Sequence, residues 1–209
     1  SSQWILEEKI TSEPLVAKIE NLENVLFGKT STDVLAMRAE SIFEICFKEG
    51  KPQMEEVVIP AGTLVLIRFL SALSSKDNIA GETFNFQIAE NVFLDNKLAI
   101  PTNSLGVGEI IEAKKATILS RPGKLEIEFK SISALDGTSL SLIIGEEAQK
   151  ENERIAIAVG VGILGLIVLS SPIGLIAGAL IPGKNVKIEE GTEMFLQVKE
   201  DTTVIALIQ

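Results

Sequence analysis

Between Ile155 and Ile181 the chain runs for 27 residues without a charge, longer than the ~20 apolar residues that cross a bilayer. The run lies near the C-terminal end of a sequence that otherwise alternates like a β domain. It divides at Ser170-Ser171-Pro172. Pro172 lacks a backbone donor and clashes with the preceding turn, so a helix kinks or breaks there. One kinked helix would extend about 40 Å at 1.5 Å per residue. It would also strand the final β segments, Val186 to Ile208, across a membrane from the core they need. A hairpin brings the chain back, so the predicted element is an apolar transmembrane helical hairpin inserted over residues 154–182. Ala158 and Gly162 stand four apart, as do Gly174 and Gly178, and such small pairs let helix backbones approach in lipid. Ala158, Gly162, Leu166, Leu169, Pro172, Gly174 and Gly178 are therefore the expected membrane or oligomer contacts.

Charge brackets the run. Glu146, Glu147, Lys150, Glu151, Glu153 and Arg154 precede it, and Lys184 and Lys187 follow. A signal peptide would be N-terminal, so the run is not one. The net charge is −10. Phosphate contacts need Lys and Arg clusters, and the nearest to one is the pair Lys114-Lys115, so no nucleic-acid partner is expected. The chain has no His and no Tyr. A His-based triad and imidazole metal ligation are excluded. Cys46 is the single cysteine, so no intrachain disulfide can form. It falls on an apolar helical stripe with Ile42 and Ile45, which predicts a buried thiol acting as a small hydrophobe.

Two periodicities divide the rest. Residues 1–50 read as a small N-terminal α-helical module. Pro14 suits a first turn. Leu15, Ile19, Leu22, Val25 and Leu26 follow at spacings of three and four, an amphipathic stripe. Gly28 sits where a helix ends, and Ser31, Thr32 and Asp33 are cap candidates for a second helix. A shift of 20 residues aligns Leu15 with Leu35, Lys18 with Arg38, Leu22 with Ile42 and Val25 with Ile45. Two copies are too few for a solenoid. Residues 50–56, with Pro52, read as a linker.

Residues 57–209 read as mainly β. Leu125, Ile127 and Phe129 alternate with Lys124, Glu126, Glu128 and Lys130, the pattern of a half-buried strand. Asp136-Gly137 marks a tight hairpin. About eight short strands imply an antiparallel β-barrel or sandwich. One phrase recurs at strand entries: Ile59-Pro-Ala-Gly-Thr63, Ile100-Pro-Thr-Asn-Ser104 and Ile188-Glu-Glu-Gly-Thr192. Gly and Asn tolerate positive φ and a hydroxyl bonds nearby backbone. Pro60, Gly62, Pro101, Asn103, Gly137 and Gly191 are therefore read as barrel corners, not ligand residues.

The order of these motifs resembles a known family. Ile59-Pro60-Ala61-Gly62-Thr63, then Leu73-Ser74-Ser75 and Gly81, then Ile100-Pro101, Ser104 and Gly108, then Arg121-Pro122-Gly123, Asp136-Gly137, Gly191-Thr192 and Asp201 are similar to the C-terminal β-barrel of TrbI-like proteins, outer-membrane core components of type IV secretion systems. The resemblance covers roughly residues 57 to 205. It implies a barrel with an inserted helical pair, copies of which line up in a ring to form an outer-membrane pore. Asn103 departs from the family's glycine, and helical repeats replace its inner-membrane helix and proline-rich stretch.

Catalysis needs convergent titratable groups. The pairs Glu55-Glu56, Glu146-Glu147 and Glu189-Glu190 do not form dyads in strands, where neighbours point to opposite faces. No catalytic, cofactor-binding or metal residue is expected, and the chain is read as non-enzymatic. Two readings stand. One is an oligomeric ring or pore component of the cell envelope, at the outer membrane facing the periplasm, touching lipid and copies of itself. The alternative is a membrane-tethered structural or adaptor protein binding an envelope partner through its N-terminal helices.

Overall fold

The computed structural model describes residues 15–46, 52–117, 121–158, 166–171, 174–179 and 183–208, with the backbone path alone for 15, 155–158, 166–171 and 174–179. The chain divides into two compact units, residues 1–52 and 53–209.

In the first unit α1 (Leu15–Phe27) and α2 (Leu35–Cys46) are joined through Gly28. Gly28 takes φ 70° and its N–H bonds the Asn24 carbonyl at 3.1 Å, a left-handed helix end that glycine adopts freely. Ile19 and Ile42 are buried. Between the helices Glu23 accepts two hydrogen bonds from Arg38, at 3.0 and 2.8 Å, and one from the Ser31 N–H at 3.2 Å. That Arg38 bond holds the Glu23 carboxyl below its ordinary range, against the opposing effect of desolvation. The proposed caps act otherwise. Ser31 and Asp33 bond each other, while the Val34 carbonyl receives the first helical bond, from Arg38 N–H at 3.2 Å. Cys46 is exposed, contrary to the buried thiol expected. It closes α2, and its stripe neighbour Ile45 is 42% exposed, so the stripe leaves the contact with α1 before the helix ends. Pro14 lies outside the described residues.

The second unit is mainly β. Its elements are β1 (Met54–Ile59), β2 (Leu64–Phe69), β3 (Leu73–Ser74), β4 (Thr83–Ile88), β5 (Val92–Leu94), β6 (Lys97–Ile100), β7 (Leu105–Lys114), β8 (Lys124–Ser133), β9 (Ser139–Ile143), α3 (Glu146–Ala158), β10 (Leu166–Ser171), β11 (Gly174–Ala179), β12 (Lys187–Ile188), β13 (Glu193–Val198) and β14 (Thr202–Ile208). β1 starts inside the stretch read as a linker. Strands β8-β7-β4-β2-β13-β9 follow one another, and β9 pairs back onto β8, closing a six-stranded antiparallel barrel. A second sheet, β1-β14-β6-β5, and the short pair β12-β3 flank it.

Alternation explains the closure. In β2, Val65, Ile67 and Phe69 are buried and the residues between them half-buried. β4 and β8 alternate likewise, so each strand turns one apolar row inward. The filling is aromatic. Phe69 stacks on Phe84 at 5.8 Å, and Phe86 meets Phe129 edge-on at 5.3 Å. The rings need space, which β7 supplies by glycine. Gly106 and Gly108 pair with Phe86 and Phe84, and a Cβ at either would collide with the facing ring.

The three recurring phrases form one repeated corner. Each bonds its fifth residue's N–H to the second residue's carbonyl: Thr63 to Pro60 at 3.1 Å, Ser104 to Pro101 at 3.2 Å, Thr192 to Glu189 at 3.2 Å. The fourth residue, Gly62, Asn103 or Gly191, takes φ 86°, 66° or 81°, as a type II turn requires. That residue's N–H also bonds a neighbouring strand end, Val198, Ile88 or Phe69, each at 2.8 Å. Each corner carries the chain from a flanking strand (β1, β6, β12) into a barrel strand (β2, β7, β13). Gly137 takes φ 85° in the β8–β9 turn.

Candidate membrane and subunit contact surface

The barrel has a seam. One edge of β8 serves two partners: Ser131–Ser133 pair with β9, and Lys124–Ile127 pair with β11. Thus β9 closes one end of the barrel and the β10–β11 hairpin covers β8 at the other. On the facing side β13 pairs with β9 at Gln197 and Val198, and its earlier part meets α3. There the Asn152 side chain stands in for a strand. Its amide donates to the Phe195 carbonyl at 3.0 Å and accepts the Phe195 N–H at 2.7 Å. Gln197, 7% exposed, fixes the start of α3 by accepting the Ala148 N–H at 3.2 Å and donating to the Gly62 carbonyl at 3.1 Å. Gly145 leaves room for that amide; a Cβ would strike it.

The strands β10 and β11 correct the helical hairpin expected over 154–182. The apolar run begins as the end of α3 and then, in its described parts, forms these two antiparallel strands, with Leu166 opposite Ala179 and Ser171 opposite Gly174. Among the described residues no helix is long and apolar enough to cross a membrane. The physical reason lies in composition and context. Gly costs about 1 kcal/mol per helix position, β-branched residues favour strands, and β8 offers an edge with backbone groups to satisfy. Ala158 ends α3, Leu166 and Leu169 lie in β10, and Gly174 and Gly178 lie in β11. The Gly174–Gly178 spacing is therefore not a helical one. Gly162 and Pro172 lie outside the described residues.

The barrel's exterior carries ion pairs beside a few exposed apolar side chains, Leu105, Val107 and Ile111 among them. On the β7–β8 ribbon Glu109 faces Glu128 and Glu112 faces Glu126, like-charge pairs that repel. Lysines bridge them: Lys130 contacts Glu109 and Glu128, and Lys124 contacts Glu112 and Glu126. Lys114, then Lys124, holds the Glu112 carboxyl below its ordinary range, and Glu112 in turn raises Lys124. Arg68 pairs with Glu193 across β2 and β13 at 2.6 Å. A transmembrane barrel turns apolar side chains outward. This one turns its main apolar rows inward.

The sequence pairs of acids are divided among different partners. Glu55 takes Lys97, Glu147 takes Lys150 and Glu189 takes Lys187. Among the described residues no group of three His, Cys, Asp or Glu could hold a metal. Asp136 and Asp201 work as fasteners. Asp136 accepts N–H bonds from Thr138 and from Ile205 of β14, each at 2.9 Å, and Asp201 accepts the Ala61 N–H at 2.7 Å. Asn152 and Gln197 escaped the sequence reading. Their signal was faint: an amide within a helix of charges, and a polar residue on the outward row of β13, which α3 covers.

No protein-family model matches the chain, and no curated protein matches it. Among solved structures it is similar to ComB10 of the Com type IV secretion system of Helicobacter pylori, at 18% identity and a TM-score of 0.35, over 69% of this chain and 88% of that one. That likeness is too slight to carry an argument about fold or function.

Proposed function

We propose that this chain is a non-enzymatic structural component of a bacterial cell-envelope assembly of the type IV secretion kind, in which the barrel presents its apolar run to membrane lipid and to further copies of the chain. One observation carries the reading. In its described parts the uncharged run continues α3, whose Asn152 is bonded to Phe195 of β13, and its β11 strand pairs with the Lys124–Ile127 edge of β8. Outside that run the main apolar rows of the barrel face inward, and its β7–β8 ribbon carries ion-paired charges. Ring, pore and outer-membrane placement extend this reading by way of the motif order over residues 57 to 205. The test is flotation of the intact chain with liposomes, together with the mass of the detergent-extracted protein. A multiple of 22.5 kDa and co-flotation are expected. A dispersed monomer in plain buffer that ignores liposomes would remove the proposal.

A second reading has its own observation. The helical unit exposes Val25, Val34 and Met37 at 82%, 67% and 60%. An envelope protein bound there would make the chain an adaptor. Val25→Ser with Met37→Ser should then abolish capture of that partner while leaving liposome flotation unchanged.

A further inference from the structure

Most cations of the barrel unit are in ion pairs, among them Arg68 with Glu193, Lys97 with Glu55 and Lys150 with Glu147. Five have no ion-pair partner among the described residues: Lys76, Lys115, Arg121, Lys184 and Lys199. Four of the five lie on three loops knitted together at one end of the barrel. Ala116 N–H bonds the Asn185 side chain at 2.8 Å, and Gly123 N–H bonds the Lys184 carbonyl at 2.9 Å. Ser75 N–H bonds the Val186 carbonyl at 2.9 Å, and Val186 N–H bonds the Ser75 hydroxyl at 3.0 Å. Gly123 must be glycine for this packing, since a Cβ would lie 2.5 Å from the Ser75 hydroxyl and 3.0 Å from Asn185 Cα. The scaffold is fixed and the cations on it point to water: Lys76, Lys115, Arg121 and Lys184 are all exposed.

Nearby acids are mostly engaged. Glu82 accepts from Asn78 at 2.8 Å and from Ile79 N–H at 3.2 Å. Glu189 pairs with Lys187, and Glu112 with Lys124. Asp77, Glu82 and Glu190 are the nearby acids with no cation partner among the described residues, and Glu82 is held by its amide and backbone bonds. The fifth unpaired cation, Lys199, bonds through its backbone to Ser141 at 2.9 Å, at the opposite end, where β13 meets β9.

The apolar run comes to the same end. Leu166 opens β10 opposite Ala179 of β11, and Gly178 pairs with Lys124. In a chain of net charge −10, free positive charge is thus gathered where the uncharged run enters and leaves its hairpin. Cations beside an apolar segment are attracted to anionic headgroups within a Debye length of the surface. We infer that the loop cluster of Lys76, Lys115, Arg121 and Lys184 is a docking surface for an anionic lipid bilayer, gripping headgroup phosphates while the neighbouring run lies at the interfacial layer. This rests on the envelope reading above.

The test uses the full chain and two kinds of vesicle, phosphatidylcholine alone and phosphatidylcholine doped with phosphatidylglycerol. The wild type should prefer the anionic vesicles, and added salt should erase the preference. Lys76→Gln, Lys115→Gln, Arg121→Gln and Lys184→Gln together should weaken anionic binding about a thousandfold and leave neutral binding unchanged. Lys199→Gln, at the other end, should change neither. Circular dichroism checks that the exposed substitutions leave the fold intact. Equal wild-type binding to both vesicles overturns this inference and leaves the envelope reading standing; binding to neither overturns both. A quadruple variant that binds anionic vesicles like wild type also overturns it. So does equally tight, equally salt-sensitive wild-type binding to a single-stranded oligonucleotide, which would mark a nucleic-acid surface.

Discussion

Replacing Gly108 by Ala tests the packing that closes the barrel. The added Cβ would meet the Phe84 ring and lie 2.8 Å from the Glu128 carbonyl oxygen. Neither can yield cheaply. Phe84 is 4% exposed and held by Phe69 at 5.8 Å and by Phe129 at 5.8 Å. The Glu128 carbonyl belongs to β8, paired with β7. Overpacking a core costs about 1–3 kcal/mol, and with a backbone atom in the way Gly108→Ala should lie near the upper end. Gly106→Ala meets the Phe86 ring alone and should cost about 2 kcal/mol. Gly137→Ala meets nothing within 4 Å but takes φ 85°, so its cost is backbone strain, about 1 kcal/mol. Urea unfolding followed by circular dichroism measures all three at constant m. Phe84→Leu combined with Gly108→Ala should cost less than the sum of the single changes, because the smaller side chain frees the space. Strict additivity, or a Gly108→Ala variant within about 0.5 kcal/mol of wild type, would refute this account of why β7 carries glycine.

Other expectations follow from named contacts. Asn152→Ala removes both bonds to Phe195 and should loosen α3 by about 2 kcal/mol, seen as faster hydrogen exchange at the Phe195 amide; unchanged exchange would deny the amide its strand-like role. For Asp136, burial raises the carboxyl, but the N–H bonds of Thr138 and Ile205 and the Thr138 hydroxyl outweigh it and hold it below its ordinary value. Its contribution is therefore present above the unfolded pKa and lost as pH falls through the lower folded one. Asp136→Asn should flatten that acid limb in a thermal-melt series, and an undiminished slope would contradict the assignment. Replacing Arg154–Pro182 with a Gly/Ser loop should leave a β-rich, dispersed protein, since closure runs through β9 rather than β11; an unfolded product would make the hairpin part of the core.

Local chemistry was legible where it is self-sufficient. The Ile-x-x-(Gly/Asn)-(Thr/Ser) phrase spells out its turn, because positive φ at one position and a hydroxyl at the next leave few alternatives. Period-two alternation in Lys124–Lys130 likewise announces a strand with one wet face. What could not be read depends on distant partners. Glu23 carries no mark that Arg38 will bury it, nor Asn152 that it will meet Phe195. The Cys46 stripe is correctly amphipathic, but whether its last turn is covered depends on where α1 ends. The apolar run misled for a related reason. Length and hydropathy measure preference for an apolar medium, and both are indifferent to whether backbone bonds are made within a helix or to a neighbour such as β8.

That indifference has a consequence for β10. Among the described residues β10 pairs with β11 alone, so one row of its N–H and C=O groups has no protein partner there. The other free edges differ. β5 is three residues long, and β1 carries Glu55 and Glu56, devices that discourage pairing with a second chain. Leu166–Ser171 is six residues long and has neither charge nor proline. Such an edge cannot enter hydrocarbon as it stands, because unsatisfied backbone groups cost several kcal/mol each there. In this conformation it belongs at the interfacial layer or against another strand, and a second β10 offers an uncharged edge of the same length. The amides of β10 that point away from β11 should therefore exchange quickly in dilute, dispersed protein and become protected on assembly, while those bonded to β11 stay protected throughout. Fast exchange of the outward amides in the assembled state would exclude edge pairing as the contact between copies.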